Sequence, residues 1–237
     1  MIKQHEFNTK WWGQEVGIVT DPAFFAESLA EQHRQLQPYA WVEFVQPVSK
    51  VPARRSLLAT GFFQTDTQIR FRLELSHVKL GECARAMMAQ PASSAPFQIK
   101  ASGLRPFANE RFFQIPGATP EKVLERYVVW SNALIAGHPQ TCLQLALGGE
   151  VQGWFLSHPE SGGLELTLAM LSAGSKSSGF DLYSAAISAY AGKGFRLGFA
   201  GFSVTNTAVH NIYAALGARF LEPRECWMWL NPTQFPQ

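Results

Sequence analysis

Charged residues are scarce in this sequence, and they form no run of one sign. The 237 residues include 20 Lys or Arg and 18 Asp or Glu, which gives a formal net charge of +2. Proteins that bind nucleic acid or an anionic membrane surface concentrate Lys and Arg in a patch. We therefore expect neither nucleic acid nor a membrane among the partners.

Cysteine is also scarce, and the three cysteines have no paired spacing. They stand at Cys83, Cys142 and Cys226. Regularly spaced cysteines would indicate a disulfide framework, and close pairs of Cys or His would indicate a metal site. Because neither pattern occurs, we expect no metal and a reducing compartment.

No stretch of the sequence has the composition of a membrane span. Residues 127–149 and 197–218 contain no Asp, Glu, Lys or Arg, but polar residues such as Asn132 and Asn206 interrupt them. Residues 1–14 have no apolar core after a basic start, which argues against an export signal. These features predict a cytoplasmic protein.

Hydrophobic residues make up 46% of the chain, so it is able to bury a large core without metals or disulfides. Its first part predicts a compact β-α-β-α-β unit, and a linker rich in Pro and Ser follows. The predicted division is an N-terminal domain, a linker and a C-terminal domain, over residues 1–76, 77–98 and 99–237. In the first domain the predicted elements are strands at 15–20, 41–45 and 68–75 and helices at 24–36 and 53–59.

The C-terminal domain carries strong element signals. Thr119 and Pro120 begin a helix, and Gly148-Gly149 joins two strands as a tight hairpin. The other predicted elements are strands at 164–171, 195–204 and 226–230 and helices at 120–135, 177–191 and 207–216. Residues 53–63 repeat the pattern of residues 209–219, each with a short helix, a glycine and a strand.

Three segments of this domain resemble the GNAT acyltransferase superfamily. They are the strand at 164–171, the serine-rich loop at 174–179 that precedes a helix, and the run at 206–220 with its Asn, short helix, Tyr and Leu-Gly. The two-part layout resembles the TDP-fucosamine acetyltransferase type of GNAT. The resemblance implies an α/β (α+β) GNAT fold with a mixed, largely antiparallel sheet, preceded by an abbreviated GNAT-like N-terminal domain. It also implies acetyl-CoA as acyl donor and a small-molecule amine as acceptor, and it is compatible with a homodimer.

The serine-rich loop is the predicted pyrophosphate site. A helix N-terminus presents unpaired amide donors and the positive end of the helix dipole, and small residues let an anion approach the backbone. An ordinary serine N-cap would produce the same pattern. The loop also departs from the GNAT form, because Gly174 stands where a basic or amide side chain is usual. The predicted cofactor-binding residues here are Ser175, Lys176, Ser177, Ser178, Gly179 and Phe180.

By the same resemblance, the amine attacks the thioester directly. Tyr213 would protonate the leaving thiolate, and the backbone at Leu168, Ala169 and Met170 would bind the pantetheine arm and the oxyanion. Asn206 would bind pantetheine or cap the next helix. The alternative for Tyr213 is a packed aromatic residue.

The general base and the acceptor contacts have weaker signals. Glu165, on the predicted cofactor strand, is one candidate base, and His158 and His210 have more ordinary interpretations as a turn residue and an exposed helix residue. Arg105, Arg111 and Phe112 lie in an irregular stretch that would hold a nucleotide or a carboxylate, or else form a surface loop with packed aromatic rings. No nucleophile motif occurs.

Two other functions remain open. One is a degenerate GNAT that binds CoA or a partner protein without catalysis, which the departures in the serine-rich loop suggest. The other is an aminoacyl transferase of tandem GNAT architecture, but a transfer RNA surface fits poorly with a net charge of +2.

Overall fold

The computed structural model describes residues 1–105, 107 and 110–235. The chain forms two compact units that interleave in sequence. The first unit comprises Met1–Ile69, Arg111–Ala118 and Glu222–Gln237. The second comprises Arg70–Glu110 and Thr119–Leu221.

Helices and strands alternate along much of the chain. The α-helices are α1 (Glu6–Trp12), α2 (Leu29–Leu36), α3 (Arg54–Thr60), α4 (Glu82–Ala86), α5 (Pro120–Gly137), α6 (Gly179–Gly192) and α7 (Thr207–Ala215). The strands are β1 (Ile2–Gln4), β2 (Val16–Val19), β3 (Trp41–Pro47), β4 (Phe63–Glu74), β5 (Met88–Pro91), β6 (Cys142–Leu147), β7 (Glu150–Glu160), β8 (Gly163–Leu171), β9 (Leu197–Ser203), β10 (Arg219–Phe220) and β11 (Arg224–Leu230).

In the first unit the strands are ordered β1-β2-β3-β11-β4. The β2–β3 pair is parallel, and β11 lies antiparallel to β3 over its whole length. Aromatic rings dominate the core, where Phe25 contacts Phe24, Phe44 and Phe62 edge to face. The last strand of the chain therefore belongs to the core of the first unit.

In the second unit the strands are ordered β4-β9-β8-β7-β6-β5, and β10 also pairs with β4. The pairs β5–β6, β6–β7 and β7–β8 are antiparallel, whereas β8–β9 is parallel. Helix α6 packs its buried side chains into a core of leucine and aromatic residues from β4, β7 and β8. These strands and helices carry the predicted cofactor residues.

The fold class expected from the sequence, mixed α/β with a largely antiparallel sheet, is confirmed. The hairpin prediction is also confirmed, because Gly148 and Gly149 join β6 to β7 with φ of 58° and 84°, as a tight turn of this type needs. Gly61 and Gly217 follow the two similar short helices with φ of 91° and 83°.

The interleaved units differ from the contiguous division at residues 76 and 99, because β11 returns to pair with β3 and β4 in the first unit. For residues 77–98 the sequence predicts a linker that starts with a helix around Glu82 to Met88. The structure has that helix as α4, and it adds strand β5. Strand β5 is at the edge of its sheet and ends at Pro91, a position where proline is tolerated. The low-complexity composition of this segment concealed the strand.

Candidate active site

A β-bulge interrupts strand β8 in the middle. Leu168 lies opposite Leu156 of β7, and Glu165 lies opposite His158, so two residues of β8 face a single residue of β7 between these pairs. A bulge of this kind bends its strand and increases the local twist. Strand β8 therefore changes direction at Leu166 and Thr167.

The parallel pairing of β8 with β9 ends at the bulge. It is registered at Leu164 with Gly198 and at Glu165 with Phe199. Between the bulge and the isolated bridge that pairs Ser172 with Leu104, the described residues include no strand partner on this edge of β8. We call this segment, residues 167–171, the open edge of β8.

The alternation of the backbone decides which amides face the open edge. The Ser172 N–H donates to the Gln152 carbonyl at 2.9 Å, on the β7 side. Because successive residues of a strand direct their N–H groups to opposite edges, Leu168 and Met170 also face β7. Ala169 and Leu171 face the open edge. Of the three residues predicted to donate backbone N–H groups to the ligand, Ala169 alone faces the open edge. Leu171, which was not among the predicted residues, also faces it.

Tyr213 lies inside an aromatic cluster beneath the sheet. Its side chain is 3% exposed, and its ring lies 3.9 Å from that of Phe71 and 5.9 Å from that of Phe202, measured between centroids. Tyr183 of α6 contacts it edge to face at 5.2 Å. Tyr213 is thus packed, as the alternative interpretation required, and it contacts β9 through Phe202.

Burial raises the pKa of the Tyr213 phenol well above its ordinary value, and the neighbouring Tyr183 adds to the shift. The hydroxyl therefore keeps its proton at physiological pH. A raised pKa also makes it a weaker acid. An ordinary thiol, with a pKa of about 8.5, is the stronger acid, so a proton would pass from Tyr213 to a thiolate only against this difference.

Glu165 lies at the base of the open edge, on the face of β8 opposite to Leu164 and Leu166. Those two leucines pack in the same core as Tyr213. The Glu165 carboxylate binds Arg70 through two contacts of 3.3 Å. Burial raises the pKa of Glu165, and the nearby Arg70 and His158 oppose the shift. Tyr213 of α7 therefore packs on the face of β8 opposite to this carboxylate.

The other polar candidates have local structural roles. His158 Nδ1 lies 2.9 Å from the hydroxyl of Thr167, and His210 packs against the rings of Phe202 and Phe220. Asn206 caps α7, where its Oδ1 accepts from the Val209 N–H at 3.2 Å. Capping leaves the Asn206 Nδ2 for another partner.

The serine-rich loop forms an N-terminal cap for α6. Ser178 accepts from the Asp181 N–H at 3.1 Å, and its hydroxyl donates to the Asp181 carboxylate at 2.6 Å. Gly179 allows α6 to approach α7 closely, since a Cβ there would lie 3.1 Å from Ile212. Phe180 is half-buried against the core.

Gln152 of β7 contacts the same loop from inside. Its Oε1 accepts from the N–H groups of Lys176 and Ser177 at 2.9 and 3.1 Å and lies 3.3 Å from the Ser175 hydroxyl. The Lys176 ammonium binds Glu150 at 2.8 Å, which raises its pKa. The loop therefore satisfies several of its own donors.

The predicted acceptor residues do not form one cluster. Arg105, in the second unit, donates to the Ser175 carbonyl at 2.8 Å. Arg111 and Phe112 belong to the first unit, where Arg111 binds Glu43 at 2.9 Å and its guanidinium lies 4.6 Å from the Phe112 ring centre. Phe112 is 1% exposed, so it offers no surface to an acceptor. The interpretation as packed aromatic residues fits Phe112.

Across the described ranges, no group of three or more His, Cys, Asp or Glu is arranged to hold a metal ion. Cys83, Cys142 and Cys226 are free thiols, and burial raises the pKa of Cys142 to about 11. None of the helices between residues 1 and 235, where described, is long and apolar enough to span a bilayer.

Sequence reasoning missed Gln152, Leu171 and Arg70. A single glutamine at the start of a strand carries no signal for a contact 25 residues later with Ser177. The bulge determines whether the odd-numbered or the even-numbered residues of β8 direct their N–H groups to the open edge. The apolar sequence of this strand contains no signal for a bulge. Arg70 was visible only as an alternating polar residue of β4.

No protein-family model matches the sequence, and no curated protein matches it either. Solved structures do match the fold. A GCN5-related N-acetyltransferase from Sphaerobacter thermophilus has a TM-score of 0.59 at 12% identity, over 97% of this chain and 76% of that one. One from Kribbella flavida has a TM-score of 0.53 at 12% identity, over 90% and 80%. A tandem GNAT protein from the clavulanic acid biosynthesis pathway has a TM-score of 0.50 at 9% identity, over 92% and 76%. Likeness at these identities shows the fold alone: this chain has the GNAT N-acetyltransferase fold.

Proposed function

We propose that this chain transfers an acetyl group from acetyl-CoA to a primary amine of a small molecule. The observation that carries the proposal is the open edge of β8, where the parallel pairing with β9 stops at Glu165. Ala169 directs its backbone N–H and C=O groups into this gap, and Leu171 lies at the far end of the gap, next to the bridge between Leu104 and Ser172. An unpaired strand edge binds an extended ligand through backbone hydrogen bonds.

The pantetheine arm of CoA fits such an edge. It is narrow and extended, and its two amide groups can bond to alternate backbone groups as a neighbouring strand would. The half-buried Leu168 and Ala169 would line the gap with apolar surface. The thioester at the end of the arm supplies an activated acetyl group.

Three groups of the chain would act in the transfer. As the amine nitrogen bonds to the thioester carbon, the Ala169 N–H donates to the carbonyl oxygen, which gains negative charge. Glu165 accepts the proton that the amine nitrogen loses. When the carbon–sulfur bond breaks with its electron pair on sulfur, Tyr213 donates its proton to the thiolate. Exchange with solvent then restores both groups, and the products are the acetamide and the free thiol.

For the acceptor we propose an amino sugar carried on a nucleotide. The support is the resemblance of the two-part layout to the TDP-fucosamine acetyltransferase type. The Arg70–Glu165 pair, on the face of β8 opposite to Tyr213, is the place where the amine would enter.

The test is turnover of acetyl-CoA against a panel of primary amines that includes nucleotide-linked amino sugars, with release of the thiol as the readout. We expect one class of amine to support turnover well above hydrolysis. Absence of turnover with every amine would contradict the proposal.

The second candidate function is binding of CoA or a partner protein without catalysis. The packing of Tyr213, whose side chain is 3% exposed, favours it over catalysis. Thermal stabilisation by CoA, about 2.7 kcal/mol at a hundredfold excess over the Kd, together with no turnover would support this function.

A further inference from the structure

We infer that this chain recognises its thioester donor through the pantetheine arm and does not use the pyrophosphate of CoA. The inference rests on the proposed function. It follows from the contrast between the open edge of β8 and the serine-rich loop, in which Gln152 and Gly103 already occupy the amide donors of Lys176, Ser177 and Ala173.

The first observation is the occupation of the loop amides. Lys176 and Ser177 donate their N–H groups to Gln152 Oε1, and Ala173 donates to the Gly103 carbonyl at 2.8 Å. Gly103 approaches from the side of the open edge, because Ala173 and Ser172 direct their N–H groups to opposite edges. An anion that used these three amides would have to displace Gln152 and Gly103. Other loop amides, at Ser178, Gly179 and Phe180, lie at the start of α6, whose first turn carries the Asp181 carboxylate.

The second observation is how firmly Gln152 is held. Its side chain is 1% exposed, and its Nε2 donates to the Glu150 carbonyl at 3.1 Å, which orients Oε1 towards the loop. If the Gln152 side chain turned away from the loop, its buried amide would lose these hydrogen bonds, and an unsatisfied buried polar group destabilises the fold. Gly103 is held as well, through the bridge between Leu104 and Ser172 and the burial of Leu104.

The third observation is the charge around the loop. Lys176 is paired with Glu150, and Asp181 lies in the first turn of α6, where its carboxylate already interacts with the positive end of the helix dipole. Arg105 donates to the Ser175 carbonyl. A pyrophosphate at this loop would therefore meet two carboxylates beside two cations that already have partners.

The experiment compares the affinity of the chain for CoA and for pantetheine by titration calorimetry. We expect the two Kd values to agree within about threefold, since the ligands share only the arm. A pyrophosphate that accepted two hydrogen bonds from the loop would make CoA bind at least about a hundredfold tighter, because bonds to charged groups are strong. A difference of that size would overturn the inference.

Two variants at one position sharpen the comparison. Gln152→Ala frees the Lys176 and Ser177 amides, so CoA should bind about tenfold tighter or more than in the wild type, with pantetheine unchanged. Gln152→Glu keeps an acceptor for both amides and adds negative charge, so it should give CoA no advantage. Equal gains in both variants would contradict the role of Gln152. Should Gln152→Ala not fold, the wild-type ratio decides alone.

Turnover separates this inference from the proposed function. With acetyl-CoA and S-acetylpantetheine as donors, similar kcat/KM values support both. A strong preference for acetyl-CoA overturns the inference and leaves the acetyltransferase function in place. If CoA and pantetheine bind equally well but no amine is acetylated, the result supports recognition through the pantetheine arm and contradicts the acetyltransferase function. Binding of neither ligand overturns both.

Discussion

The open edge of β8 and the serine-rich loop were predicted to hold two parts of one ligand, and they differ in how much of their hydrogen bonding the protein itself supplies. Beyond Glu165, the described residues provide no strand partner for Ala169, and the next pairing on this edge is the bridge between Leu104 and Ser172. In the loop, Gln152 binds Lys176 and Ser177 from within. A binding site is a place where such groups are left for a ligand. The open edge meets that description, whereas the loop amides of Lys176 and Ser177 do not.

The same contrast explains why a familiar motif is a poor guide on its own. Small residues before a helix N-terminus serve equally well to bind an anion or to let the chain cap itself. Here Ser178 and Asp181 form the cap. A bulge and a missing partner strand identify the open edge, and both are properties of β8 with its neighbours.

The largest effect is expected from proline at the open edge. Ala169→Pro removes an N–H that has no described strand partner, so the fold should persist while affinity for pantetheine falls by about a hundredfold or more. Met170→Pro is the matched control, because it removes an N–H directed to β7 and should prevent folding or cost about 3 kcal/mol or more. Circular dichroism and calorimetry measure both. If Ala169→Pro bound pantetheine normally, the open edge would not be the binding site.

The next effect concerns Tyr213. Tyr213→Phe removes only the hydroxyl and keeps the ring packed against Phe71, so stability should change little. General acid catalysis is worth about a hundredfold to ten-thousandfold, and a thiolate is already a fair leaving group, so we expect kcat to fall by about tenfold to a hundredfold with thioester affinity unchanged. Tyr183→Phe is a control from the same aromatic cluster and should leave kcat near the wild-type value. If Tyr213→Phe kept the wild-type kcat, water and not Tyr213 would be the donor of the proton to the leaving thiolate.

A smaller effect is expected in the pH dependence of kcat/KM. Glu165 must be ionised to accept a proton, and burial raises its pKa above the ordinary value of a glutamate, so activity should rise with pH through a midpoint above that ordinary value. Arg70 opposes the shift, so Arg70→Gln should move the midpoint to higher pH. Glu165→Gln should remove this limb of the profile. A midpoint that Arg70→Gln left unmoved would show that another group is the base.

The smallest effect is expected from Lys176. Its ammonium is paired with Glu150 on the surface, so Lys176→Ala should change the Kd for CoA by less than about threefold. Glu150→Gln is the informative partner, because it releases Lys176 and should tighten CoA binding modestly at low salt. A large loss of CoA affinity in Lys176→Ala would restore the loop as a pyrophosphate site.

Much of the fold was predictable from the sequence, because its signals are local. Thr119 and Pro120 begin α5, the Gly148-Gly149 turn joins β6 to β7, and alternating or continuous apolar runs mark the strands. Strand β5 was missed because its signal is non-local: Met88–Pro91 becomes a strand by pairing with β6. The destination of β11 was not predictable either, because strand order depends on pairing across more than 150 residues of sequence, as at Cys226 and Val45.

The candidate site was predictable only at the level of its elements. The resemblance placed the donor on β8 and the acid on α7, where Tyr213 lies. It could not distinguish Ala169 from Met170, since that choice depends on which edge β7 occupies. Nor could it show that Phe112 is buried among aromatic rings of the first unit, because burial is set by residues distant in sequence, such as Trp41.

The most direct test of the central claim is amide chemical shift perturbation in the ¹⁵N-labelled chain, titrated with pantetheine and then with CoA. We predict that the Ala169 and Leu171 amides shift with both ligands to the same extent, and that the Lys176 and Ser177 amides, which remain bonded to Gln152, respond to neither. Shifts at Lys176 and Ser177 with CoA alone would show that the loop binds the pyrophosphate. An unmoved Ala169 would show that the open edge of β8 is not where the donor binds.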